Sequence, residues 1–221
     1  MLISNPSDRI IHLSGIHGGG KSTLIKRLAE DGFIYHNRQH PGEGLQNPLE
    51  RHIRRAQRLW EDHQLEIEIA TNNPDKIVLG DRCRYDYDSY SAGFHKIGWL
   101  TPEEKEIVRK TIDSYFKDID NPRHIIFIDP PLEWVKERIQ ERWKMTGRVK
   151  WRENDFRYLE ASYNSFKEVY ANARCDVLTL TETNLEKRVK ICADWIDTIR
   201  IRLENRGETP LYQPDLAICR D

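Results

Sequence analysis

Apolar residues in this chain gather in short blocks separated by longer amphipathic stretches. The blocks RIIHLS (residues 9–14), FIYH (33–36), KIVLGD (76–81), HIIFID (124–129) and VLTL (177–180) are rich in Ile, Val, Leu and Phe. Runs of that length and content read as strands buried on both faces, as in a parallel sheet. After the first block, Leu24, Ile25 and Leu28 share one helical face that stops at Gly32. Leu49, Ile53, Ala56, Trp60, His63, Ile67 and Ala70 recur at steps of four and three, which predicts a long amphipathic helix. TPEEKEIVRKTIDSYF opens with Thr101 as N-cap, Pro102 at the first helical position and Glu104 closing a capping box. NDFRYLEASYNSFKEVY repeats Phe156, Leu159, Tyr163, Phe166 and Tyr170 on a helical period, and NLEKRVKICADWIDTIRIRLENRG reads as the closing helix. Strands and helices in alternation predict an α/β chain whose parallel sheet is covered on both faces. One domain over residues 1–206 is expected, with GETPLYQPDLAICRD (207–221) as an irregular tail and no internal repeat.

Composition narrows the function classes. A formal net charge of -1 over 221 residues offers no overall electrostatic pull toward nucleic acid, so a nucleic-acid partner is not favoured. Cys83, Cys175, Cys192 and Cys219 stand far apart without a CxxC or Cys/His cluster. That spacing argues against a zinc knuckle or disulfide framework and for reduced thiols in a cytoplasmic protein. No apolar run approaches the roughly 20 residues of a membrane span, and MLISNPSDR lacks the apolar core of a signal peptide.

The chemistry is concentrated in HLSGIHGGGKSTLIKRL (12–28). Gly15, Gly20, Lys21 and Ser22 fit G-x-x-x-x-G-K-[ST] between a strand and a helix. In that context successive backbone N–H groups curl around a phosphate at a helix N-terminus, which is a P-loop. Gly15, His17, Gly18, Gly19, Gly20, Lys21, Ser22 and Thr23 are the expected nucleotide-binding residues. Lys21 should reach the β- and γ-phosphates and Ser22 the Mg²⁺. ATP is the expected nucleotide, because no N/T-K-x-D guanine motif follows.

Two strands end in aspartate, Asp81 and Asp129, and neither is followed by the glutamate an ATPase motor would use. Asp81 is followed by Arg82: a carboxylate for hydrated Mg²⁺ beside a cation for a second anion suits transfer between two phosphate-bearing substrates. Asp81 and Ser22 are therefore the expected metal-holding pair.

The loop GxxGxGKST, the strand-end Asp81-Arg82 and the segment IDPPLEWVKERIQER together resemble thymidylate kinase and its deoxynucleoside kinase relatives. HNRQHPGEG (36–44) stands where that family has an R-E-P-G-G turn, and GRVKWRENDFRYLEASYNSFKEVY resembles its lid exit. The landmarks run in family order from about residue 9 to about residue 200. The resemblance implies a three-layer P-loop fold, a five-stranded sheet in the order 2-3-1-4-5, an arginine-bearing lid and, commonly, a homodimer. It favours Arg54 or Arg58 of the long helix and Arg38 as ligands of an acceptor phosphate, and Arg142 and Arg148 as lid cations for the transferring phosphoryl group. Arg82, Tyr85 and Tyr90 fall where acceptor contacts or base stacking would be needed. Three departures stand out: His17-Gly18 replaces the usual acidic-glycine pair, RQHPGEG carries an extra residue and no glutamate after Arg38, and Cys83 follows Asp81-Arg82.

The expected activity is ATP-dependent phosphoryl transfer to a small-molecule (deoxy)nucleoside monophosphate, thymidylate-like. A free nucleoside would need a carboxylate as general base after the second strand. Here His36, Asn37, Arg38, Gln39 and His40 follow, with Glu43 and Glu61 as the acids that a loop movement could bring to that position. Transfer to a free nucleoside, to a nucleic-acid end or modified base, and a non-enzymatic regulatory P-loop protein are the alternatives.

Overall fold

The computed structural model describes residues 5–36, 45–117, 121–147 and 151–206. Five parallel strands, β1 (Ile10–Gly15), β2 (Ile34–Tyr35), β3 (Val78–Asp81), β4 (His124–Ile128) and β5 (Asp176–Leu180), form one sheet in the order β2-β3-β1-β4-β5. Each lies within or next to one of the five apolar blocks. β1 is central: it pairs with β3 through His12–Gly80 and Leu13–Asp81, and with β4 through Ser14–Phe127 and Gly15–Ile128. The register brings the ends of β1, β3 and β4 to one edge, where ligands of open parallel sheets bind.

Helices α1 (Lys21–Glu30) and α7 (Leu185–Arg206) cover one face. There Ile11 and Leu13 of β1 meet Leu24, Ile25, Leu28, Cys192, Ile196 and Ile199 in a dry core. Each fully buried Leu or Ile in that layer contributes about 1.5–3 kcal/mol. The other face is covered by α2 (Pro48–Asn72), α3 (Arg84–Lys96), α4 (Pro102–Tyr115) and α6 (Phe156–Ala171), with an aromatic core of Tyr87, Tyr90, Phe94, Phe127, Tyr158 and Phe166. Helix α5 (Leu132–Thr146) lies against the P-loop side, where Val135 and Ile139 pack on Ile16. The result is a three-layer α/β/α sandwich.

Local signals hold where they are self-contained. Thr101 Oγ accepts from Glu104 N at 3.2 Å while Glu104 Oε2 accepts from Thr101 N at 2.8 Å, which is the expected capping box at the start of α4. Helix α3 was not read from its sequence as a helix, although Tyr87, Tyr90 and Phe94 recur at three and four. Its N-cap is Cys83, with Asp86 accepting from Cys83 N at 3.0 Å. In α2 the buried residues are Arg51, His52, Ala56, Leu59, Asp62, His63, Glu66 and Ala70. Ala56, His63 and Ala70 belong to the expected stripe, and five of the eight are polar or charged. Cys83, Cys175 and Cys192 are free thiols, and Cys219 lies outside the described residues, as does the tail 207–221. Among the described residues no helix is long and apolar enough to cross a membrane.

Candidate active site

A cavity of about 740 Å³ opens at the carboxyl edge of the sheet, a size suited to small-molecule ligands. Its floor is the loop between β1 and α1. Gly15 adopts φ +133, and a Cβ there would stand 2.5 Å from the Ile128 carbonyl oxygen, so only glycine lets the loop leave the sheet at that point. Gly18, at φ +76, is pressed against Ile139 Cγ1. Helix α1 then begins at Gly20 with no side-chain cap. Its first amides are thus available to an anion, with the helix dipole adding its field.

Lys21 is 93% buried, and its Nζ donates to the loop's own carbonyls, 2.7 Å from Gly15 O and 3.2 Å from Ile16 O. Ser22 and Thr23 are exposed and border the cavity with Ile16, His17, Gly18 and Gly20. Gly15 and Gly19 shape the turn without bordering it. Gly19 is held from outside: Arg188 of α7 donates from Nη1 to Gly19 O at 2.8 Å and lies 4.9 Å from the Trp134 ring. His17 leans away from the loop, 5.1 Å between ring centroids from Tyr90 and 6.1 Å from Tyr158.

Asp81 ends β3, is buried and borders the cavity; Asp129, just beyond β4, does not. Instead Asp129 faces Lys167 Nζ at 3.4 Å. Ser22 and Asp81, the pair expected to hold Mg²⁺, both border the cavity. Their side chains carry the hard oxygen atoms that fit such an ion. Asp81→Asn is expected to lower turnover by about 10-fold or more and to raise the Mg²⁺ requirement, with Asp129→Asn close to wild type. Magnesium titrations of both variants check this; the reverse ranking would assign the metal to the wrong strand.

Arg82 has φ +79, a conformation rare and strained for a bulky residue. It is held there by four contacts. Its N–H donates to Leu13 O at 2.9 Å, its Nη1 reaches Asp86 Oδ1 at 2.9 Å and Gly15 O at 3.3 Å, and its guanidinium lies 5.1 Å from the Tyr90 ring. Burial alone would lower its pKa, but Tyr90, Asp86 and Asp81 together hold it well above the ordinary arginine value. Asp86 is fully buried and gathers the network: Ser14 Oγ, Tyr170 OH at 3.2 Å, Cys83 N and Gly15 N at 3.4 Å all donate to it. The P-loop origin and Arg82 therefore share one anchor.

The roof is formed by α2 and by residues 151–153. Arg51, 93% buried, stacks 4.6 Å from the Trp151 ring, and its Nε and Nη1 are buried with no protein partner among the described residues. Burial, with Arg55 adding repulsion, pushes its pKa down to about 10, so it stays cationic at neutral pH at a cost that an anion would relieve. His52 is pushed down to about 3 by burial and donates from Nε2 to Tyr87 O at 3.2 Å, so it is neutral. Arg142 pairs with the buried Glu153. Arg152 lies 4.6 Å from the Trp99 ring and 5.3 Å from the Trp151 ring.

Several expected site residues are placed differently. Arg54 and Arg58 do not border the cavity: Arg54 is exposed beside Gln57, and Arg58 is exposed and pairs with Glu61 at 2.9 Å. Their places are taken by Arg51 and Arg55, because only the first turns of α2 overhang the cavity and the helix presents a different face there. Tyr85 turns toward Tyr170, with ring centroids 6.0 Å apart, whereas Tyr87 and Tyr90 face the cavity. Arg142 does border it, beside Arg138 and Glu141. Arg38, Arg148 and Glu43 lie outside the described residues. Arg51 and Arg55 share the arginine-rich face of the long helix with Arg54 and Arg58, and spacing alone did not set them ahead of those two. His52, Asp86, Trp151 and Arg188 were missed, because nothing local marks them.

No protein-family model and no curated protein matches this sequence. Among solved structures the chain is similar to deoxyadenosine kinase from M. mycoides. The form with dCMP and dCDP has 13% identity and TM-score 0.63, covering 86% of this chain and 99% of that one. The form with dATP has 12% identity and TM-score 0.64, covering 85% and 99%. The form with dCTP has 14% identity and TM-score 0.58, covering 86% and 99%. At this identity the likeness shows a shared fold, the five-stranded P-loop architecture.

Proposed function

We propose that the chain transfers the γ-phosphoryl group of ATP to a nucleoside monophosphate. The observation that carries this reading is Arg51, a buried cation with two donors facing no protein acceptor at the cavity roof. A buried guanidinium in that state calls for a ligand anion apart from the donor phosphates on the P-loop. The wider electrostatics agree. Lys21, Arg51, Arg55, Arg82, Arg138, Arg142 and Arg152 border the cavity against Asp81, Glu141 and Glu153. An excess of cations offsets the repulsion between two phosphorylated substrates and is poorly matched to a neutral acceptor.

Within this reading the P-loop amides and Lys21 hold the donor phosphates. Arg82, fixed by Asp86, and Arg142 are the cations assigned to the charge that builds up on the transferring group. Ser22 and Asp81 would hold Mg²⁺, which would supply charge neutralisation to the donor phosphates. Tyr90, Tyr87 and neutral His52 offer flat and hydrogen-bonding surfaces for a base. The thymidylate-like preference is retained as the first acceptor to test.

The M. mycoides relatives favour a second reading, transfer to a free nucleoside. It requires a carboxylate positioned as general base. Purified protein, ATP and Mg²⁺ are assayed with thymidine against thymidylate and with the other nucleoside and monophosphate pairs. Monophosphates are expected to be the better acceptors. Arg51→Met should raise their KM by about 10- to 100-fold, the worth of a hydrogen bond to a charged group, and leave the KM for ATP nearly unchanged. A clear preference for a free nucleoside, unaffected by Arg51→Met, would select the second reading. ADP release that no acceptor stimulates would point to a regulatory P-loop protein.

A further inference from the structure

Behind the cavity, the face of β1 that looks toward α2 carries His12, and the inward face of α2 carries His63 and Glu66 one turn apart. We propose that His12, His63 and Glu66 form a binding site for a zinc-class divalent metal ion that ties α2 to the central strand. All three side chains are buried, and one ligating atom from each lies within 4.8 Å of the others. His12 Nε2 and His63 Nδ1 are both 3.3 Å from Glu66 Oε2. Hydrogen bonds between an imidazole and a carboxylate are normally shorter, about 2.7–2.9 Å when charge-assisted. A tetrahedral ion with bonds of about 2.0 Å sets its ligands about 3.3 Å apart, which matches both separations.

Both rings, though not Glu66, also border a cavity of about 10 Å³, about the volume of one water. The other ring nitrogens, His12 Nδ1 and His63 Nε2, are buried with no protein partner among the described residues, and an ion on Nε2 and Nδ1 leaves them as N–H donors for that water rather than satisfying them itself. The sheet is also shaped for the carboxylate: a Cβ on Gly80 would stand 2.7 Å from His12 Cδ2 and 2.8 and 2.9 Å from the Glu66 oxygens.

Two imidazoles and one carboxylate suit zinc and its neighbours rather than Mg²⁺, which prefers oxygen ligands, so the ion required for phosphoryl transfer does not compete. The site's place in the fold makes it structural. His12 pairs with Gly80, directly before Asp81 and Arg82, and Arg82 borders the same small cavity. An ion here would hold the helix carrying Arg51 and His52 against the strands carrying Asp81 and the P-loop. The inference does not depend on which acceptor is used.

The test uses the full chain purified without a metal-affinity tag, loaded with Zn²⁺ or Co²⁺ in excess Mg²⁺, desalted and measured for metal content. Near-stoichiometric metal is expected, with the intense visible absorption of tetrahedral Co²⁺ bound by nitrogen and oxygen. Affinity in His63→Gln and Glu66→Gln should fall by more than the about 10- to 100-fold that loss of a supporting hydrogen bond costs a metal site. For a variant that does not fold, the wild-type protein supplies the reading: chelation should lower its thermal midpoint by several degrees, and Zn²⁺ should restore it. Wild-type protein that retains no metal and shows no chelator-dependent shift would overturn the proposal. So would undiminished binding in folded variants, or thiolate-to-cobalt absorption placing the ion on cysteines.

Discussion

Lys21→Ala is expected to lower turnover by about 100-fold or more while leaving the fold intact, because one preorganised cation on the transferring phosphoryl group is worth that much. In the structure its ammonium is buried against Gly15 O and Ile16 O, so the side chain is already parked within the loop. Gly15 O also accepts from Arg82 Nη1 at 3.3 Å and Ile16 O from Gly19 N at 3.4 Å, so losing Lys21 as a donor costs stability little. The effect should therefore appear in kcat with nearly wild-type circular dichroism. Lys21→Arg should not rescue, since a planar fork does not fit a space built for one ammonium. Wild-type turnover in Lys21→Ala would sink the phosphoryl-transfer reading.

Asp86→Ala is expected to be the most damaging single change to stability, by about 3–5 kcal/mol, because it takes from the partly buried Arg82 the one carboxylate bonded to it, leaving only the more distant Asp81. The same carboxylate accepts from Gly15 N, Cys83 N, Ser14 Oγ and Tyr170 OH, so the truncation also frees the P-loop origin and the cap of α3. Asp86→Asn keeps the volume but turns donors toward donors. It should fold with reduced stability and lose turnover through a displaced Arg82. Urea unfolding of both variants, read beside kcat, checks the expectation. An Asp86→Ala protein within about 1 kcal/mol of wild type would mean that Arg82 is held by Tyr90 and the backbone instead.

Legibility of the site followed the range of the interactions involved. The P-loop was readable because its function rests on consecutive backbone amides and one adjacent lysine. The acceptor arginines were not, because their assignment depends on the rotational phase of α2 and on where the cavity ends along it. The polar residues Arg51, His52, Asp62 and Glu66 are buried on that helix beside the stripe members Ala56, His63 and Ala70, so an apolar stripe marks only part of the inward face. The cysteine spacing argued only against a zinc site built from neighbouring residues, and could not register His12 meeting residues 63 and 66 across the sheet.

By itself the sequence determined the α/β class, the five strands, most of the helices, their caps and the glycine-rich loop between β1 and α1. These depend on burial and hydrogen bonding among residues within a few positions of one another. With the family resemblance added, it also anticipated the strand order. Tertiary structure alone decided that Arg51 and Arg55 face the cavity and Arg54 and Arg58 face solvent. It also decided that Asp86 anchors Arg82 in a left-handed conformation and that two histidines and a glutamate meet behind the site. Each of those outcomes is set by the packing of elements tens of residues apart, where a rotation of one helix by a single position exchanges a solvated charge for a buried one.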